Sequence, residues 1–175
     1  QLASLDQIWR QKGVTEDVMF SLLMGTVLPE SRPIEVFLYP QPLSSSPQQP
    51  QSVGAQLVKA AVKSNKSAAL KQALEARLKQ PLGELSSRIL LGQLAMAERD
   101  VESAREQLAF LGERLKQDSL RFTSELACHV VMPAMTHDDL KESAVDVLTR
   151  VVDQLHKSIQ TGQGRGQVEP TKSLT

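Results

Sequence analysis

Residues 85–115 read LSSRILLGQLAMAERDVESAREQLAFLGERL. Leu85, Ile89, Leu90, Leu91, Leu94 and Ala95 recur at helical spacing, so the first half reads as an amphipathic helix. Arg99-Asp100 supplies a turn, with Asp100 placed to cap a second helix. Val101, Ala104, Leu108, Leu111 and Leu115 repeat the same period beyond it. Gly92 and Ala104 are small, which lets two paired helices approach closely. Leu108 fills the space beside them. The stretch predicts an antiparallel helix pair.

The placing of Gly92, Ala104 and Leu108 resembles the tetratricopeptide repeat. That pattern has a small residue in the first helix, an Ala about 12 later and a large apolar residue about four beyond. The chain departs from it at three places. Arg88 stands where a Trp is common, Ala95 where a Tyr is common, and Lys116 at the closing proline. The match covers one unit of about 34 residues. The resemblance implies a concave groove, lined by the first helix of each pair, for a peptide or another domain. On that mapping Ser86, Gln93 and Met96 face the groove in the middle unit, and Glu125, His129 and Met132 in the next.

Looser pairs flank this unit. Upstream, Leu57, Ala60 and Ala61 precede a Ser64-Asn65-Lys66 turn, then Ala69, Leu70, Ala73 and Leu74. Downstream, Phe122, Leu126 and Val130 precede a break at 133–137. Thr136 and Asp139 there have the spacing of a capping box. Leu140, Ala144, Val147, Leu148, Val151 and Leu155 follow. The fold class expected is therefore all-α, a short α-solenoid-like stack of antiparallel helix hairpins over residues 54–160. An irregular helical bundle would use the same apolar pattern.

The N-terminal part, residues 1–40, reads as a helix pair plus an extended segment. Leu2, Leu5, Ile8 and Trp9 form one apolar row, and Gly13 stops it. Thr15 caps the next helix, with Glu16 and Asp17 in its first turn. Val18, Phe20, Leu22, Leu23 and Val27 are its apolar residues, and Gly25 and Pro29 mark its end. Residues 34–39 are rich in β formers and bounded by Pro33 and Pro40, so they read as extended, lying against helices or pairing with another chain. Residues 40–54 hold four Pro, four Gln and four Ser, the composition of a linker, whose span is taken as 41–53. Residues 161–175 begin Thr-Gly-Gln-Gly-Arg-Gly-Gln and read as a disordered tail. The opening Gln1-Leu2-Ala3 fits a processed chain or an excised domain.

Composition narrows the function classes. Aromatic residues are 3% of the chain, so Leu, Ala and Val must fill the core. Lys plus Arg and Asp plus Glu are 20 each, so no global field draws nucleic acid or anionic lipid. No apolar run has the roughly 18 residues a membrane span needs. One cysteine, Cys128, excludes an intrachain disulfide and fixes no compartment.

Candidate chemistry is sparse. Cys128 and His129, with His137, Asp138 and Asp139, suggest a nucleophilic pair or a metal site. Zinc takes about four ligands with soft donors, and no oxyanion hole frames the cysteine. A buried structural cysteine is the plainer reading. Lys59, Lys63, Lys66, Lys71, Arg77 and Lys79 form a local basic face, without interleaved aromatics for base stacking. Gly162, Gly164 and Gly166 lack the strand and helix of a phosphate loop. Asn65-Lys66-Ser67 fits a glycosylation acceptor, a pattern common by chance. No catalytic, cofactor or metal-binding set emerges. Two readings lead, a protein–protein interaction or scaffolding module and an accessory helical region packing against neighbouring domains of a larger protein; an enzyme using Cys128 and a histidine is the remote third.

Overall fold

The computed structural model describes residues 15–28, 52–80, 84–117 and 129–160; of 116–117 and 158–160 it describes the backbone alone. Every element among them is a helix. In chain order they are α1 (Glu16–Val27), α2 (Val53–Lys63), α3 (Ser67–Arg77), α4 (Glu84–Glu98) and α5 (Val101–Gln117). A helical stretch at 129–134 and a 3-10 turn (Asp138–Leu140) lead to α6 (Lys141–Gln160). The extended segment read at 34–39, most of the linker and the tail lie outside the described residues.

Capping residues set several helix starts. Thr15 Oγ1 accepts from the Val18 amide at 3.4 Å, and Ser52 Oγ from the Ala55 amide at 3.1 Å. Asp100 Oδ1 accepts from the Ser103 amide at 3.1 Å, as its position predicts. The Thr136–Asp139 capping box does not form. Thr136 Oγ1 donates back to the Pro133 carbonyl at 2.7 Å, and the chain passes through the 3-10 turn instead. α1 ends at Val27, between Gly25 and Pro29, as the two residues mark it.

The two short turns are built alike. Asn65 and Arg99 take positive φ of 55° and 61°, a step of 34 residues. In each turn the next amide reaches back over five residues: Lys66 to the Ala61 carbonyl at 2.8 Å, Asp100 to the Ala95 carbonyl at 2.9 Å. This is the Schellman closure, in which a left-handed residue lets the last carbonyls of a helix find donors. The apolar pattern keeps the same step. Leu57, Ala61, Leu70 and Leu74 are buried, and so are Leu91, Ala95, Ala104 and Leu108. The third interval breaks it, with Ala144 coming 40 residues after Ala104.

α4 lies at the centre, packed against α2, α3 and α5, and α5 packs in turn on α6. Gly92 allows a further approach. A Cβ there would lie 3.1 Å from Val130 Cγ1 and 3.3 Å from Gln107 Cβ. The molecule is thus an all-α stack of helices, with one core running from Met19 to Val151.

α1 belongs to that core and is not a separate N-terminal body. It contributes Met19, Phe20, Leu23 and Val27. Its start meets the end of α2 through Lys63–Glu16 at 2.8 Å and Lys66–Asp17 at 2.9 Å. Its end is held by Arg77 of α3, which donates to the Leu28 carbonyl at 2.6 Å. Val18, read as apolar content of this helix, is 55% exposed, while Met19 points inward. One step around a helix is about 100°, so adjacent apolar residues seldom share a face. The linker boundary also moves: Ser52 is the buried cap of α2 and Val53 its first buried residue.

Candidate functional site

The groove implied by the tetratricopeptide resemblance loses two of its residues. Ser86 is fully buried and Met96 is 5% exposed, so neither can be reached by a ligand. α4 is enclosed on most of its circumference, which a pattern taken from one helix pair does not reveal. Gln93 and His129 are brought together: Gln93 Nε2 donates to the His129 carbonyl at 3.1 Å, tying α4 to the stretch at 129–134. His129 is half-buried, and desolvation holds its imidazole below the usual histidine range. Met132 is 60% exposed. Glu125 lies outside the described residues, as does Cys128.

The other sequence candidates separate. His137 is half-buried and Asp138 and Asp139 are exposed at the 3-10 turn. The Asp139 carbonyl accepts from Arg105 of α5 at 2.7 Å, so this turn serves to seat α6 on α5. Among the described residues no three His, Cys, Asp or Glu converge to hold a metal. The basic face is partly neutralised: Lys63 and Lys66 pair with the acids of α1, and Arg77 is buried. No helix among the described residues is long and apolar enough to cross a membrane.

Two surface features carry the functional argument instead. The first is on α6. Ala144, Val147 and Val151 face the core, while Val145 and Val152, each 45% exposed, and Leu155, 37% exposed, form a second row. Arg150 fixes the orientation of this helix. It donates to the Gly112 carbonyl and reaches Glu113 at 3.3 Å, and it pairs with Asp146 at 2.7 Å. Those carboxylates raise its already high pKa, Asp146 foremost. Val145 and Val152 were missed in sequence, and Leu155 was set there with the core residues; the signal that could have found the row is that this helix has apolar residues at more positions than one face can hold.

The second is a cleft of about 360 Å³ between α3, α4 and α5. Arg88 and Ala95, where the repeat pattern has aromatic rings, both line it. Ala95 leaves space. Arg88 lies with its guanidinium 4.6 Å from the Phe110 ring, donates to Gln107 Oε1 at 3.2 Å and meets Glu106 at 3.6 Å. The cleft was missed in sequence because its walls come from three helices.

No protein-family model matches the chain, and no curated protein or solved structure matches it. What the resemblance implies therefore rests on this chain's own residues.

Proposed function

We propose that this chain is a non-enzymatic protein–protein interaction or scaffolding module of helical-repeat type. The observation that carries the reading is the doubly apolar α6. Its outer row is exposed on the last of the described helices, and a helix that closes such a stack needs a polar outer face to stay solvated. Val145, Val152 and Leu155 are an apolar surface awaiting another polypeptide. The like-built turns at Asn65 and Arg99, 34 residues apart, support the repeat character and its tetratricopeptide-like reading. Exposed Met132 adds an adaptable apolar contact.

The same surface favours a second reading, an accessory region whose α6 packs on a neighbouring domain of its own chain. A photo-crosslinking residue at Val152, in the full-length gene product in cells, separates the two. Crosslinks to another protein support the interaction module, and crosslinks within the chain support the accessory region. Absence of crosslinks, or crosslinks unchanged by Val145→Glu with Leu155→Glu, would overturn both.

A further inference from the structure

The cleft between α3, α4 and α5 has a chemistry separate from the α6 surface. Its floor is apolar, made by Leu91, Leu94 and Ala95 of α4. Its rim carries Glu75 from α3, Glu98 from the end of α4, Asp100 from the turn and Glu106 from α5. Lys71 and Arg88 are the two cations on the lining. Arg88 is engaged by Glu106 and Gln107, while Lys71 is exposed and forms no ion pair among the described residues. Glu75, on α3, and Glu98, the last residue of α4, both line the cleft and form no ion pair among the described residues.

We propose that this cleft binds a lysine or arginine side chain presented by a partner protein. The alkyl stem lies over Leu91, Leu94 and Ala95, and the charged head sits between Glu75 and Glu98. Long cationic side chains bury their stems on apolar surface while the head finds carboxylates. An apolar guest would desolvate the two carboxylates without compensation, and an acidic one would add to their repulsion. About 360 Å³ is near the lower end of small-ligand sites and leaves room for one long side chain. The lining comes from three helices, so the site exists only in the folded stack.

Methyl NMR on the 175-residue chain tests this, with Ala and Leu methyls labelled. The probes are acetyl-Gly-Arg-Gly-amide and acetyl-Gly-Lys-Gly-amide, with norleucine and glutamate tripeptides as controls. The cationic peptides are expected to shift the Ala95 and Leu91 methyls saturably, and norleucine to bind about tenfold more weakly. Glu75→Gln with Glu98→Gln should weaken cation binding about tenfold and leave the melting temperature in place, because both side chains are exposed and unpaired. Ala95→Leu should fill the floor and abolish the shifts. The proposal fails if no saturable shift occurs, if norleucine binds as well as arginine, or if the double glutamine variant binds unchanged. Those failures leave the α6 reading standing, since crosslinking at Val152 reports on other residues.

Discussion

Gly92 and Gly25 sit in helices but respond to different surroundings. Nothing lies within 4 Å of a Cβ added at Gly25, so Gly25→Ala gains helix propensity alone and should stabilise by about 0.5–1 kcal/mol. At Gly92 the same gain meets Val130 and the Cβ of Gln107, both fixed in the core. Overpacking of this kind costs about 1–3 kcal/mol, so Gly92→Ala should destabilise by about 1 kcal/mol net. Urea unfolding of both variants measures the difference in sign. His129 adds a pH dependence. Burial favours its neutral form in the folded state, while the unfolded chain takes up a proton near its ordinary pKa of about 6.5. The stability it contributes is present above that pH and is lost as pH falls below it. The urea midpoint should drop from pH 7.5 to 5.5, and His129→Gln should flatten that drop.

At the scale of elements, the start of α5 depends on Asp100. The Ser103 hydroxyl and amide hydrogen bond to its carboxylate and hold its pKa below the ordinary range, and Lys71 adds to the effect. A depressed carboxylate pKa gives stability that is full above about pH 4 and is lost as pH falls through the folded-state value. Asp100→Ala should lower thermal stability at pH 7. Asp100→Asn should keep the cap and remove its share of the acid sensitivity, because Asn accepts the same amide bond uncharged. Thermal melts at pH 7 and pH 3 compare the three proteins. The turns next to this cap were only half legible. Arg99-Asp100 and Ser64-Asn65-Lys66 read as turns, but a positive φ at an arginine follows from closing α4 against α5, which no local preference predicts.

At the scale of the molecule, Arg77 joins α3 to the end of α1. It is 5% exposed, and its guanidinium satisfies the Leu28 carbonyl. Arg77→Ala removes a buried stem and leaves that carbonyl without its donor, at a cost of about 2–3 kcal/mol. Hydrogen exchange should then show the amides of α1 losing protection before those of α4. Uniform loss across both helices would mean that α1 is not secured by this contact. Arg77 read in sequence as part of a basic face. Burial turned it inward, since charge type says nothing of which helix face meets a neighbour.

The helices and their nearest pairings follow from residues close together along the chain. Apolar period, the capping residues Thr15 and Asp100, and the small residues Gly92 and Ala104 act within a turn or between adjoining helices, so they are visible in order along the chain. Tertiary structure alone decided which faces remain open. It enclosed α4 and so buried Ser86 and Met96, drew α1 into the common core, and left the α3–α4–α5 cleft and the outer row of α6. The reason is that exposure belongs to contacts between residues far apart in sequence. A helix with two apolar faces, such as α6, cannot say which one its neighbours will cover until those neighbours are in place.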